Sequence, residues 1–446
     1  MQNTFKNRMK LNGVQILSLG FIALIIIGAV ILSLPISSKS GESTNFLDAI
    51  FTSTSAVCVT GLITLNTSTH WSTFGQTVII TLIEIGGLGF MSFAVLISLI
   101  LGKKITLRER LIMQEAMNTY SIQGLVKMVK YVLIFTVSVQ LFGALLLSTQ
   151  FVPEYGISTG LFYSIFHSIS AFCNAGFDLF GTSLVTYSSN SVVILVISAL
   201  IIIGGLGFTV ILELYDFKGI KKLSIHSKLV IIITLVLIFG GSILMLLFEF
   251  NNVESIGNMS IVDKLLNSFF ASVTTRTAGF NSVDTSGMTL ASKILTIILM
   301  LIGGSPGSTA GGLKTVTCGI LVLTIISVIK GREDTEVFGR RFTKEIVYKA
   351  FTIVFIGISL VIGVTMILSY TETGANFVDL LYEASSALGT VGLTLGFTPS
   401  LTPIGKILIM VMMYLGRVGP LTVMLALTRK GKRSGYKYPE GKILIG

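Results

Sequence analysis

The sequence of 446 residues is poor in charge, cysteine, histidine and tryptophan. Charged residues make up 12%, about half of the roughly 25% found in soluble globular domains. At this length so little charge excludes a soluble enzyme, a disordered chain and a nucleic-acid-binding domain. The net charge of +11 does not rescue a nucleic-acid reading, because the apolar runs forbid it. Three cysteines make no disulfide framework, and none has zinc-ligand spacing. His70, His167 and His226 are scattered and suggest no metal site. No cleavable signal is evident. The first apolar run is too long for a signal core, and no small-residue cleavage site follows before Pro35.

Hydrophobic residues, by contrast, make up 52%. Length alone would suggest about three soluble domains; this composition suggests one polytopic helical bundle. Apolar runs near 20 residues mark membrane spans. They fall at 14–34, 73–101, 125–148, 190–213, 228–248, 347–369 and 403–427, with an eighth at 290–329 interrupted by a glycine tract. Shorter segments at 45–57, 160–173, 261–274 and 377–388 lie between them. Each is too short to cross a core of about 30 Å, so each reads as a re-entrant or surface helix.

Charge sets the orientation. Lys6, Arg8 and Lys10 precede the first span, and Lys103, Lys104, Arg108 and Arg110 follow the second. Lys218, Lys221 and Lys222 follow the fourth, Lys330, Arg332, Arg340 and Arg341 the sixth, and Arg429, Lys430 and Lys432 the eighth. The other loops hold most of the acids, among them Glu42, Asp178, Glu254 and Glu383. The positive-inside rule then expects both termini and the basic loops in the cytoplasm.

The short segments repeat. Ser55-Ala56-Val57-Cys58-Val59-Thr60-Gly61-Leu62 aligns with Ser170-Ala171-Phe172-Cys173-Asn174-Ala175-Gly176-Phe177. The third copy is Val273-Thr274-Thr275-Arg276-Thr277-Ala278-Gly279-Phe280, and the fourth is Ser386-Ala387-Leu388-Gly389-Thr390-Val391-Gly392-Leu393. An aromatic stands ten residues before each shared glycine: Phe51, Phe166, Phe269 and Tyr382. About 25 residues later a second motif recurs: Gly86-Gly87-Leu88-Gly89, Gly204-Gly205-Leu206-Gly207, Gly303-Gly304-Ser305-Pro306 and Gly416-Arg417-Val418-Gly419. A repeat of about 110 residues results, with units at about 11–102, 125–215, 228–329 and 347–428 and a tail at 429–446.

A short helix and a glycine loop between two spans is the layout of a pore loop. Irregular backbone survives at membrane depth only when buried in protein or lining water. Four helix C-termini pointing at one centre favour a cation. Loop carbonyls can replace its hydration shell, and glycine lets the backbone turn them there. The filter candidates are Val59, Thr60 and Gly61; Asn174, Ala175 and Gly176; Thr277, Ala278 and Gly279; Thr390, Val391 and Gly392. Thr390-Val391-Gly392 matches the start of the potassium-channel filter motif.

With these motifs the whole chain resembles the potassium-uptake superfamily of Trk, Ktr and plant HKT transporters. Eight spans look like the membrane subunit of a bacterial Ktr system, of the KtrB or KtrD kind. The resemblance implies an all-α membrane protein with four helix–pore-loop–helix repeats around one pore, and a potassium-translocating function. It also implies a homodimer in the bacterial cell membrane and a cytosolic nucleotide-binding ring of the KtrA or KtrC kind, where regulatory ATP or ADP would bind. Sodium dependence is implied as well. A sodium-selective relative is the alternative; in the plant branch a serine at the first filter position goes with sodium, and Gly61 favours potassium. An alternating-access carrier is an alternative of another class, but it predicts inverted repeats and paired broken helices, whereas only one broken helix is expected here.

That break lies at Gly303, Gly304, Ser305, Pro306, Gly307, Ser308, Thr309, Ala310, Gly311, Gly312 and Leu313. Gly costs about 1 kcal/mol and Pro about 3 in a helix, so the run cannot stay helical. Repeat symmetry places it under the filter, and in the family this stretch resembles a gating loop. Arg417 stands at the level of Gly87, Gly205 and Gly304. A mid-span arginine costs roughly 2.5–3.5 kcal/mol and tends to mark function. It can bond loop carbonyls, act as a fixed positive barrier, or pair structurally with Glu84. Lys314 ends the loop and is placed to anchor it. The basic loops at 102–110 and 330–344 are topology signals; given the resemblance, the loops at 102–124 and 330–346, with the C-terminal tail, are expected to form a docking surface for the ring.

Overall fold

The computed structural model describes residues 13–89, 111, 114, 125–217, 219–419 and 422. The expected continuation of the second span to residue 101, the basic loop at 102–110, the N-terminal basic residues and the tail at 429–446 lie outside the described residues. Helices joined by loops make up the described chain, with one hairpin of two-residue strands, β1 (Glu336–Val337) with β2 (Arg340–Arg341).

One pattern of helices recurs along the chain. α1 (Gly13–Ser33), α2 (Phe46–Cys58) and α3 (Thr73–Leu88) come first. α4 (Leu125–Tyr155), α5 (Ile157–Phe172), α6 (Ser191–Leu206) and α7 (Phe208–Tyr215) follow. Then come α8 (Ile225–Glu249), α9 (Ile261–Thr274), α10 (Leu290–Leu301) and α11 (Thr315–Ile329). α12 (Lys344–Thr371), α13 (Phe377–Gly389) and α14 (Pro403–Val418) complete the series. The first helix of each set, α1, α4, α8 and α12, is long and apolar enough to cross a membrane. Side chains along them face outward uncovered, such as Phe142, Leu145, Val236, Leu247, Phe355 and Met366. In water such stripes would be an aggregation hazard; in hydrocarbon they are simply solvated.

The inner helices start on side-chain caps. Ser72, Asn190, Thr289 and Thr402 each accept from a backbone N–H in the first turn of α3, α6, α10 and α14. Such a cap contributes about 1 kcal/mol. Each is tied to the preceding long helix or the turn after it. Ser72 Oγ donates to Ile36 O at 2.6 Å, Asn190 Nδ2 to Gln150 Oε1 at 3.0 Å, Thr289 Oγ1 to Glu249 Oε1 at 2.7 Å, and Thr402 Oγ1 to Glu372 Oε1 at 2.6 Å.

The short helices pack against the long ones through one polar contact that recurs. Ser53 Oγ donates to Ile25 O at 2.7 Å, Ser168 Oγ to Gln140 O at 2.6 Å, and Ser272 Oγ to Ile238 O at 2.8 Å. A glycine three residues beyond each carbonyl, Gly28, Gly143 and Gly241, makes room for the hydroxyl. Small residues that let helices approach, joined by serine hydrogen bonds, suit packing in lipid, where apolar burial drives nothing.

The inner helices also end alike, and this corrects the expectation of a single broken span. α3, α6 and α14 stop at Gly89, Gly207 and Gly419, with φ/ψ of 82/130, 94/135 and 95/127. After Gly207 the chain leaves as α7 at 99° to α6. The third set breaks more widely, with residues 302–314 between α10 and α11. The bend is hard to read from sequence because Gly204, Gly205 and Gly207 stand in an apolar run that reads as one continuous span. Only Gly207 permits the turn, and the loop opposite supplies a partner for the freed amide.

Candidate functional site: a ring of four glycine loops

α2, α5, α9 and α13 run directly into the four glycine loops, so four partly negative helix ends converge there. Of the six non-glycine residues with positive φ among the described residues, four are Val59, Asn174, Thr277 and Thr390. Each stands two residues before the shared glycine. Gly61, Gly176, Gly279 and Gly392 have positive φ too, from 69° to 94°. Positive φ in a β-branched residue is a genuine outlier, costing of order 1–3 kcal/mol, and it persists only where the surroundings enforce it. In each loop a left-handed residue, one without positive φ and a left-handed glycine follow in order.

The loops close on one another in a ring. A Cβ on Gly61 would strike Ala175 O and lie 3.2 Å from Gly176 Cα. One on Gly176 would lie 2.8 Å from Ala278 O and 3.0 Å from Gly279 Cα. One on Gly279 would strike Val391 O, and one on Gly392 would strike Thr60 O and lie 3.0 Å from Gly61 Cα. No side chain fits at any of the four positions. Asn174 Nδ2 links neighbouring loops by donating to Arg276 O at 3.2 Å. The hydroxyls of Thr60 and Thr390 are buried at the ring with no hydrogen-bond partner.

Side chains of the short helices brace the loops, and these the sequence reading missed. Gly61 N donates to Ser55 Oγ at 3.0 Å and Gly392 N to Ser386 Oγ at 3.1 Å. Ser170 Oγ donates to Phe177 O at 2.8 Å and Thr274 Oγ1 to Phe280 O at 2.5 Å. The signal was present as a serine six residues before the glycine in three copies. The third has Val273 there and uses Thr274, one position later, which blurred the register.

The second glycine motif serves close approach. A Cβ on Gly86, Gly204 or Gly416 would strike Val57 O, Phe172 O or Leu388 O. Each of these carbonyls lies four residues before a ring glycine.

Residues 303–313 lie across the foot of the ring. The loop is closed at its neck, where Gly303 N donates to Leu313 O at 2.7 Å. Thr309 Oγ1 donates to Phe172 O and Gly204 O at 3.1 and 3.0 Å. Ser305 N donates to Gly205 O at 3.0 Å, and Gly312 N to Gly416 O at 3.2 Å. A Cβ on Gly311 would strike Thr390 Oγ1. Phe208 N, freed by the Gly207 bend, donates to Gly307 O at 2.9 Å. Lys314 Nζ donates to Ala310 O at 2.8 Å, across the loop's own base. Ser305 and Thr309 are fully buried, Pro306, Gly307 and Ser308 less so.

Arg417 holds this loop from the opposite side. Its Nη1 donates to Thr309 O, and its Nη2 to Gly86 O and to Gly87 O, the latter at 2.8 Å. The guanidinium thus joins the loop to the C-terminal, negative end of α3. It does not pair with Glu84: the ion pairs among the described residues are Arg332–Glu336, Arg341–Asp334 and Lys406–Asp48. Glu84 instead ties helices together. It accepts from Gln140 Nε2 at 2.8 Å and Cys173 Sγ at 3.2 Å.

The family model for TrkH, a cation transport protein, matches residues 5–434. The chain belongs to this family. It is 48% identical to the potassium/sodium uptake protein NtpJ of Enterococcus hirae over 98% of each chain. It is 44% identical to the Ktr system potassium uptake protein B of Bacillus subtilis, over 97% of this chain and 96% of that one. Its fold is similar to the crystal structure of the potassium transporter TrkH from Vibrio parahaemolyticus. The TM-score is 0.73 at 20% identity, over 96% of this chain and 87% of that one. A multi-pass membrane protein of a cation-transporting family accounts for the long apolar helices and for the ring they surround.

Proposed function

We propose that this TrkH-family chain is the potassium-translocating pore subunit of a Ktr-type uptake system. The observation that carries the reading is the closed ring of four loops, each with a left-handed residue two places before a left-handed glycine. Such a backbone presents carbonyls, not side chains, to an ion. A carbonyl cage replaces a weakly held hydration shell, which suits a monovalent cation. The converging helix ends add about half a negative charge each. Potassium is the cargo named for both relatives. Sodium as a second transported or activating ion is the other reading, favoured by the name of the Enterococcus protein.

In this reading Val59, Thr60, Gly61, Asn174, Ala175, Gly176, Thr277, Ala278, Gly279, Thr390, Val391 and Gly392 form the filter. Residues 303–313 with Arg417 form the gate: the loop obstructs the path below the ring and the guanidinium latches it. Four repeats at about 11–102, 125–215, 228–329 and 347–428 give eight spans with both termini cytoplasmic. Two copies form the membrane unit, and a cytosolic ring of separate subunits, binding ATP or ADP, docks on the basic loops. The test is growth of a potassium-uptake-deficient bacterium at low potassium, with and without a co-expressed ring. Rescue supports the reading. Absence of rescue with both components present in the membrane refutes it.

A further inference from the structure

We infer that Glu383 is a positioning residue for the fourth filter loop, and that its buried charge strengthens cation binding in the ring; the inference rests on the pore reading above. Glu383 lies in α13, nine residues before Gly392, and is fully buried. By sequence it stands among the acids of the outer, base-poor loops.

Its contacts all lead to the far side of the filter. Thr394 Oγ1 donates to Oε1, and Thr398 Oγ1 donates to Oε2 at 2.9 Å. The carboxylate therefore clamps the chain leaving the filter back onto the helix that enters it. Thr394 also accepts from Gly396 N at 3.0 Å, and its carbonyl accepts from Thr285 Oγ1 at 2.6 Å. The exit of the third loop is thus fastened to the same point.

Among the described residues no Lys, Arg or His nitrogen lies within 4.0 Å of this carboxylate. A buried carboxylate with hydroxyl donors and no counter-ion is costly. Such a group takes up a proton unless a positive charge lies near, and a cation held in the ring would be that charge. Thr394 is two residues past Gly392, at most about 7 Å away by chain length, so the carboxylate lies within roughly 12 Å of the ring. At an effective dielectric of about 20, a unit charge at that range changes cation binding on the order of tenfold.

The feature belongs to the fourth copy alone. The residues nine before Gly61, Gly176 and Gly279 are Thr52, His167 and Phe270. His167 makes a neutral version of the clamp: its Nε2 accepts from Leu179 N at 3.3 Å and its Nδ1 donates to Tyr163 O at 2.7 Å. A fixed negative charge on one side of the ring biases ion binding without blocking the path.

The test is potassium uptake kinetics in cells lacking other uptake systems. Glu383→Gln keeps the volume and removes the charge. It should raise the KM for potassium on the order of tenfold, with a smaller fall in maximal rate. Glu383→Asp should recover part of that affinity, and Thr394→Val with Thr398→Val should shift KM in the direction of Gln. A merely structural residue would lower protein in the membrane and maximal rate while leaving KM alone. A wild-type KM in Glu383→Gln overturns the inference. If that variant does not reach the membrane, a wild-type KM in Thr394→Val with Thr398→Val overturns it. Gly392→Ser runs alongside. If it leaves potassium/sodium competition unchanged, the pore reading itself fails. If it alters competition while Glu383→Gln keeps its KM, only the role of Glu383 fails.

Discussion

Removing the Arg417 side chain should open the pore. Of its three hydrogen bonds, those to Gly86 O and Gly87 O join α14 to α3, and only that to Thr309 O reaches the loop. A hydrogen bond from a charged group contributes about 1.5–3 kcal/mol. When the loop moves aside, the Thr309 bond is lost, while the two bonds to α3 remain and cancel between closed and open forms. Arg417→Ala therefore weakens the closed form relative to the open one by about 1.5–3 kcal/mol. That is a rise in the open-to-closed ratio of about tenfold to a hundredfold. Arg417→Lys keeps the charge but not the fork. It cannot reach Thr309 O and both α3 carbonyls at once, and its flux should fall between the two. Deleting residues 307–311 should raise flux as well, and adding Arg417→Ala to that deletion should change little, because the two act on one contact. The assay is potassium flux in proteoliposomes without the regulatory ring, with thermal unfolding in detergent as a check on folding. Equal low flux in wild type, Arg417→Ala and the deletion, in protein whose filter variants change selectivity, would refute the latch and place the gate elsewhere.

Gly61→Ser and Gly392→Ser should weaken discrimination between potassium and sodium by about tenfold or more. A Cβ there meets Ala175 O or Thr60 O, and each 1.4 kcal/mol of lost preference is a factor of ten; competition of sodium with potassium uptake is the measurement. Ser55→Ala and Ser386→Ala each remove the acceptor of a filter amide, a loss of about 1 kcal/mol. Each should relax selectivity about fivefold, read in the same competition, and the pair should exceed either alone. Charge reversal at Arg340 and Arg341, which stand exposed on the β1–β2 hairpin, together with Lys103 and Lys104, should weaken co-purification of a regulatory ring. A complex that survives these changes at moderate salt docks elsewhere.

The repeat shows how far pattern carries. A glycine in one register four times over is legible because every copy needs the same left-handed backbone at the same depth. The short segments expected at 45–57, 160–173, 261–274 and 377–388 are the helices Phe46–Cys58, Ile157–Phe172, Ile261–Thr274 and Phe377–Gly389. Their length is bounded by caps and glycines that a sequence displays. The broken tract at 303–313 was legible for the same reason, since so many glycines with a proline leave no helical option. The bend at Gly207 was not, because glycines inside an apolar run are as common in straight membrane helices as in bent ones. Arg417 is recognisable as costly in lipid and as able to bond loop carbonyls, but which carbonyls it meets could not be read, because Thr309, Gly86 and Gly87 offer only backbone atoms.

By itself, then, the sequence determined the class of the molecule, its fourfold plan and the identity of the ring residues. These follow from composition, hydropathy and backbone preference, which act locally and repeat visibly. Only the tertiary structure decided what meets across the repeats: the closing of Gly392 onto Thr60, the latch from Arg417 to Thr309, and the clamp from Glu383 to Thr394 and Thr398. The latch and the ring closure join residues about a hundred or more apart in the chain, and the partners are mostly backbone atoms, which every residue carries alike. Their pairing is set by how the helices pack in three dimensions, and no one-dimensional pattern records it.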